Sequence, residues 1–198
     1  MAEQAAEKLG VDHSRIVNHV LAPPAGTFAI DHVHTFVAFS AQHLVVGRVR
    51  GRFEDVAGTI EIADDLSAST LQVTIDMASI DTKNATRDED LRSQHYLDVE
   101  QFPVMTYRGS GMTELPGGDW QVMGELTLHG TTKVVPLTVA YGGSLTDAYG
   151  NIRVAFTART SITRSNFGIT YELQKEAGHL LVGKDIAITM DVEAIHPA

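Results

Sequence analysis

Three histidines near the start of the chain are residues whose type and spacing could do chemistry, here the binding of a metal ion. His32 and His34 lie two positions apart, and His43 follows later in the sequence. Alternate residues of a strand share a face, and imidazole nitrogens are common zinc ligands. No third ligand follows with the usual spacing of a zinc site, and a hydrogen-bonded or exposed histidine is the commoner case. We therefore predict neither a metal site nor a cofactor.

A second group of reactive side chains lies at positions 81–93, where acidic and basic residues are dense. Paired carboxylates in this segment could act as a general acid and base. The alternative is a capped helix in which Arg87, Arg92 and the acidic residues form local ion pairs. No nucleophile or oxyanion motif accompanies the carboxylates, and we expect Asp81, Asp88 and His129 to face outward or lie in loops. The sequence therefore favours the helix, and we predict that the protein has no catalytic residues and is not an enzyme.

Arg164 is the third candidate, in a polar and aromatic loop that follows a predicted strand. Its guanidinium group could bind an anionic head group at the mouth of a barrel. It could equally pair with a carboxylate or cap the C-terminus of a helix. The residues around it leave these alternatives open.

The composition limits the possible partners of this chain of 198 residues. It has no cysteine, which excludes disulfides and thiolate chemistry, and its net charge of −10 disfavours binding to nucleic acids or to anionic membranes. No apolar run approaches the roughly 20 residues of a membrane-spanning helix. The first residues lack the charged and apolar regions of a secretory signal, so we expect a cytoplasmic protein.

The strands that must position these side chains are clearest at positions 120–141. Apolar and polar residues alternate on both sides of His129 and Gly130, which predicts two strands joined by a tight turn. Similar alternation from Thr27 onward predicts eight or nine strands, with one helix from Leu91 to Tyr96 after a capping box that begins at Thr86. The proline inside the second strand, at position 136, predicts a bulge or an unpaired edge.

The predicted fold is thus an all-β, extended antiparallel lipocalin-like barrel of about eight strands with one or two short helices. Residues 27–198 would form the barrel domain. Residues 1–26 would form an N-terminal extension, either helical (from Ala2 to Leu9) or disordered.

The apolar faces of these strands must point away from water. They either fill the interior of the barrel or line a cavity, and the pattern alone does not decide between the two. The residues concerned are Val37, Phe39, Val73, Ile75, Leu126, Leu128, Leu137, Val139, Phe156, Ile186 and Ile188.

Several short motifs, taken in order, resemble those of the YceI family of lipocalin-like, polyisoprenoid-binding proteins. The resemblance covers positions 27–195. The residues that carry it are Ile30, Asp31, His34, Thr35 and Phe39; Gly51, Arg52 and Phe53; Ile80, Asp81 and Thr82; Arg87, Asp88, Leu91, Arg92 and Ser93; Phe102 and Pro103; the run GELTLHGTTK at 124–133; and Arg164, Ser165, Asn166, Phe167 and Gly168.

This resemblance implies a barrel whose tunnel holds a polyisoprenoid, an isoprenoid quinone or a similar lipid, so that the protein acts as a carrier, store or sensor. It implies that the eleven apolar residues contact the ligand, and it makes His34, Arg92 and Arg164 the candidates for the head group. It also implies a possible homodimer. Because the chain is acidic, a quinone or uncharged lipid rivals a pyrophosphate as the ligand. The alternatives are an enzyme acting on a hydrophobic substrate and a structural or stress-response dimer without a ligand.

Overall fold

The computed structural model describes residues 13–44, 46–171 and 182–196. These residues form thirteen strands, one α-helix and three short 3-10 helices. The strands are β1 (Arg15–Val17), β2 (Val20–Ala22), β3 (Gly26–Ile30), β4 (Phe36–His43), β5 (Gly47–Phe53), β6 (Val56–Ile62), β7 (Thr70–Asp76), β8 (Ile80–Asp81), β9 (Val104–Glu114), β10 (Trp120–Leu128), β11 (Thr131–Thr146), β12 (Ile152–Thr163) and β13 (Val182–His196). The helix is α1 (Ala85–Arg92), and the 3-10 helices are Leu66–Ala68, Met77–Ser79 and Arg164–Phe167.

Eight of the strands form a closed antiparallel barrel. Their order is β12-β11-β10-β9-β7-β6-β3-β13, and β13 pairs again with β12 to complete the ring. The predicted fold class is therefore confirmed. None of the helices in the described part of the chain combines the length and the apolar content that crossing a bilayer requires.

A branch in the sheet widens one end of this barrel. One edge of β13 pairs with β12 along most of its length, whereas two strands share the other edge. Ala194 and Ile195 pair with β3, and the part of β13 between Val182 and Asp191 pairs with β4. The sheet continues from β4 through β5 to β8, against which α1 packs. Extra strands and a helix therefore enclose the interior beyond the end of β3.

The hairpin of β10 and β11 has the predicted tight turn. Leu128 pairs with Thr131, and both His129 and Gly130 have positive φ, at 51° and 69°. Positive φ at both central residues is the geometry that matches the twist of the strands in a two-residue hairpin. Pro136 lies outside the pairing of β11 with β12, which begins at Thr138, so the unpaired edge predicted there is present.

His32 and His34 were expected to share a strand face, but β4 begins only after them, at Phe36. Asp31 forms a turn instead: its carboxylate accepts a hydrogen bond from the Val33 N–H at 3.1 Å, and its carbonyl accepts one from the His34 N–H at 3.2 Å. Aspartate favours such turns because its short side chain can bond to the backbone two residues on. His32 and His34 are both exposed in this turn, so they do not share a strand face.

The helix also begins earlier than predicted, and the expected range from Leu91 to Tyr96 was wrong. Asn84 caps its N-terminus, because its side-chain oxygen accepts a hydrogen bond from the Arg87 N–H at 3.0 Å. Asparagine is as good a cap as threonine, and here it precedes Thr86, which lies in the first turn.

The N-terminal extension contains the hairpin of β1 and β2, which packs against the barrel. The guanidinium group of Arg15 donates hydrogen bonds to the carbonyls of Pro23, Ala63 and Asp64. Helix or disorder was expected for residues 1–26, and residues 15–22 form this hairpin instead. The helix predicted from Ala2 to Leu9 lies outside the described residues.

Candidate ligand-binding cavity

The interior of the barrel is hollow rather than filled by side chains. It contains a smaller cavity of about 130 Å³ and a larger one of about 720 Å³. Val37, Met105 and Ile188 line both, so the two cavities are adjacent at these residues. The structure thus decides the question that the alternation of apolar residues left open.

All eight strands of the closed barrel contribute to the lining of the smaller cavity. Its residues are mainly aliphatic, as in the run Val135, Leu137 and Val139 on alternate positions of β11. No charged side chain is found among the described residues that line it. Such a space is suited to hydrocarbon, because any polar ligand group placed there would lose its hydrogen bonds to water.

The larger cavity lies in the widened end of the barrel, among β4, β5, α1 and the beginning of β13. Its lining includes Phe39, Leu128 and Ile186, but it also has polar and charged side chains. These are His43, Asn84, Thr86, Arg87, Asp90 and Arg164. The two cavities together form a space that is apolar at one end and partly polar at the other.

The structure places all eleven predicted ligand-binding residues on this space. Six line the smaller cavity and three line the larger one, while Val37 and Ile188 line both. The six are Val73, Ile75, Leu126, Leu137, Val139 and Phe156, and the three are Phe39, Leu128 and Ile186. Period-two alternation identified them because inward-facing positions of a strand are set by the pleat itself. Their contact with a ligand stays a prediction.

Sequence reasoning missed the contribution of β9, and in particular Tyr107. Its ring is buried, its hydroxyl lies within hydrogen-bonding distance of the carbonyls of Val122 (3.1 Å) and Val135 (2.9 Å), and burial raises its pKa. The ring lies so close to Gly124 that a Cβ there would overlap it. A glycine inside a strand was the available signal, because it often marks a close approach by another group.

Arg164 is the one predicted head-group residue that lines either of these two cavities. Its side chain is 5% exposed and donates hydrogen bonds to the carbonyls of Gly183 (3.2 Å), Ile169 (2.8 Å) and Tyr171 (3.0 Å). None of the ion pairs within the described residues includes it. It is therefore a buried cation whose described partners are neutral carbonyl oxygens.

The structure does not bring the other two head-group candidates to either cavity. Arg92 donates hydrogen bonds to the carbonyls of Ala78 (2.8 Å) and Ile80 (2.6 Å), and so holds the end of α1 against β8. His34 is exposed and its Nδ1 lies 2.8 Å from the carboxylate of Asp31. Both side chains have partners that stabilise the barrel wall.

Asp88 and His129, which were expected to face outward or lie in loops, also lie away from these two cavities. Asp88 is buried, contrary to the expected outward position, because its carboxylate accepts hydrogen bonds from the backbone N–H and the hydroxyl of Thr82. His129 lies in the hairpin turn with its ring centroid 4.5 Å from that of Phe102. Neither Asp88 nor His129 lines either cavity.

Asp31, His34 and Glu193 bring three potential metal ligands within 4.8 Å of one another. The guanidinium group of Arg153 already lies between the two carboxylates. Its Nη1 donates to Asp31 at 2.5 Å and to Glu193 at 2.8 Å. A positive charge that is part of the protein thus offsets part of the negative charge of the cluster and ties the turn before β4 to β12 and β13.

This cluster should make stability depend on pH. Burial disfavours the charged form of Asp31, but hydrogen bonds from Arg153 and His34 outweigh it and lower the pKa of that carboxyl to about 2. A carboxyl with a lowered pKa in the folded state stabilises the fold above its unfolded pKa, near 3.9, and loses this contribution as the pH falls. We expect the wild type to lose about 1–2 kcal/mol more than Asp31→Asn between about pH 4 and pH 2. Urea unfolding at a series of pH values measures this, and parallel pH profiles of the two proteins would contradict it.

Comparison with known proteins identifies a matching family model and related chains. The family model described as "YceI-like domain" matches residues 28–194. A UPF0312 protein of Pectobacterium atrosepticum is 33% identical over 163 residues, which are 82% of this chain and 81% of that protein.

Two solved structures have a fold similar to that of this chain. A YCEI protein of Campylobacter jejuni matches with 26% identity and a TM-score of 0.66, covering 79% of this chain and 90% of that one. A domain from Saccharophagus degradans matches with 17% identity and a TM-score of 0.63, covering 86% of this chain and 98% of that one. The latter is described as a polyisoprenoid binding domain implicated in plant cell wall breakdown.

Proposed function

This chain belongs to the YceI-like domain family, as its motifs predicted, and from that membership we propose that it binds a long apolar ligand inside the barrel. The ligand class is a polyisoprenoid, an isoprenoid quinone or a lipid with a similar tail, and the protein acts as its carrier, store or sensor. The observation that carries this proposal is the pair of adjacent cavities, of which the smaller has no charged side chain among its described lining residues.

The driving force is the removal of the ligand tail from water. Burial of a methylene group contributes about 0.8 kcal/mol, so a tail of several isoprene units needs no specific polar contact along its length. The aliphatic lining supplies such burial without competing hydrogen bonds. The similarity of the fold to that of a polyisoprenoid binding domain supports the same ligand class.

The difference in polarity between the cavities gives the ligand a direction. The tail would extend into the smaller cavity, and the head group would remain in the larger one, where Arg164 and the polar residues of α1 lie. Arg164 is a buried cation with only carbonyl oxygens as described partners, so an acceptor oxygen of the ligand would add a favourable contact. A quinone carbonyl or a lipid hydroxyl provides such an oxygen without adding charge to a protein whose net charge is −10.

Binding of this kind requires no catalytic residue, and we propose none. Asp88 and His129 have structural partners in the barrel wall. Most residues that line the two cavities are aliphatic and carry no group that could act in catalysis.

Mass spectrometry of a solvent extract of freshly purified protein tests the proposal. We expect a prenyl-type lipid in the extract of the wild type. Ala41 is buried and lines the larger cavity, so Ala41→Trp should fill space that the tail needs. Displacing two methylene groups or more would weaken binding on the order of tenfold or more.

Val46→Trp is the matched control, because Val46 is 93% exposed and a tryptophan there leaves the interior unchanged. The control should carry as much lipid as the wild type. A wild-type extract without any apolar passenger, together with no binding of added prenyl lipids, would refute the proposed function. Equal lipid content in Ala41→Trp and Val46→Trp would refute the proposed location of the ligand in the larger cavity.

A further inference from the structure

The two cavities meet at a neck formed by Val37, Met105 and Ile188. These three residues belong to the lining of both cavities, and each comes from a different strand. In the ring of eight strands, β9 is four strands away from β13 in either direction, so Met105 lies across the barrel from Ile188. Val37 is on β4, next to β13. The neck is therefore built from opposite walls of the interior.

The branch in the sheet explains why the neck lies at this level. Val37 is the second residue of β4, and it pairs with Met190 just before β13 transfers its pairing to β3. On one side of this level the ring of eight strands is closed by β3. On the other side β4, β5, β8 and α1 enclose a wider space. The change in the number of enclosing elements produces a cavity of about 130 Å³ next to one of about 720 Å³.

The side chains of the neck differ in stiffness. Val37 and Ile188 are β-branched, and their side chains are restricted about the first torsion. Met105 is unbranched and has three rotatable bonds, so it can adapt to the shape of a neighbouring group. Val37 and Met105 are 3% and 6% exposed, so both side chains lie inside the barrel.

We propose that this neck selects ligands by tail length and that the smaller cavity is a separate subsite for the end of the tail. The inference rests on the proposed function and adds a specificity-determining element to it. A tail that fits the larger cavity alone stops before the neck, whereas a longer tail passes Met105 and gains the contacts of the smaller cavity. A cavity near 150 Å³ accommodates benzene, so the smaller cavity has room for roughly one isoprene unit.

The experiment measures the affinity of purified protein for polyprenyl alcohols of increasing length, by competition with a fluorescent prenyl probe. For the wild type, affinity should rise with length and show a last increment when the tail reaches the smaller cavity. Val37→Phe narrows the neck. It should weaken binding of the longest alcohols on the order of tenfold, since about two methylene groups suffice for such a change. Because Val37 also lines the larger cavity, the shortest alcohols should lose affinity as well, but by a smaller factor.

Two variants with the same substitution serve as controls. Val49 lines only the larger cavity, so Val49→Phe should weaken binding of all lengths by a similar factor. Val73 lines only the smaller cavity, so Val73→Phe should reproduce the length-selective loss, even if Val37→Phe does not fold. Circular dichroism and thermal unfolding establish which variants are folded.

The outcomes separate this inference from the proposed function. If the wild type binds alcohols of all lengths but Val37→Phe and Val73→Phe weaken every length equally, or none, then the neck has no role and the binding function stands. If the wild type binds no prenyl alcohol, the proposed function fails and the neck fails with it. Length-selective loss in Val37→Phe and Val73→Phe, with uniform loss in Val49→Phe, supports the inference.

Discussion

Replacing Phe28 with alanine is expected to lower the free energy of unfolding by about 3–5 kcal/mol, the usual range for a buried phenylalanine. Phe28 is fully buried in β3, and its ring centroid lies 5.6 Å from that of His196 at the end of β13. It lines neither cavity, so its removal would create a new void in packed structure. Urea unfolding of the two proteins measures the difference.

Phe36→Ala is the matched control for this substitution. Phe36 is 40% exposed and lies at the beginning of β4, with the guanidinium carbon of Arg52 5.3 Å from its ring centroid. Its removal should cost about 1 kcal/mol, since an exposed cation–π contact contributes roughly 0.5–1 kcal/mol. Similar losses for Phe28→Ala and Phe36→Ala would contradict the packing described for β3.

Replacing Arg164 with methionine is expected to lower the free energy of unfolding by about 3 kcal/mol. The guanidinium group donates hydrogen bonds to three backbone carbonyls, on Ile169, Tyr171 and Gly183, and so joins the 3-10 helix after β12 to the beginning of β13. Hydrogen bonds from a charged donor contribute about 1.5–3 kcal/mol each, and the carbonyls would lose their partner. Methionine also removes the cost of burying a charge, which keeps the net loss below the sum of the three bonds.

Urea unfolding of Arg164→Met and Arg159→Met tests this expectation. Arg159 is on the same strand-to-helix segment of the chain, but its side chain is 62% exposed and pairs with Asp119 on the surface. Loss of such a surface ion pair costs about 0–1 kcal/mol. Equal stability of the two variants would mean that the carbonyl contacts of Arg164 do not hold the end of the barrel together.

The branch of the sheet at β13 connects the fold to the proposed function. A simple ring of eight strands has an interior that side chains largely fill or that holds one small ligand. Here the ring keeps this narrow interior around the smaller cavity, and β4, β5 and α1 enlarge it on the other side. One barrel therefore combines a narrow apolar end with a wider end that has polar side chains.

Local sequence patterns were sufficient to predict the strands of the barrel, the hairpin turn and the inward face of the barrel. These features depend on neighbours in the chain: the pleat alternates side chains between two faces, and a turn such as His129–Gly130 needs residues that accept positive φ. All eleven residues chosen from this alternation lie on the cavities. The motifs that run from Ile30 to Gly168 were also sufficient to identify the family.

The hollow interior and the polar side chains that face it could be seen only in the folded structure. Packing of the barrel depends on contacts among strands far apart in the chain, and no local pattern measures the volume left between them. Hydrogen-bond partners are equally remote: Arg153 pairs with Asp31 across 122 positions, and Arg164 reaches Gly183 across 19. A basic residue in a sequence shows its charge but not its partner. The sequence therefore did not distinguish Arg164, which lines the larger cavity, from Arg92 and His34, which belong to the wall.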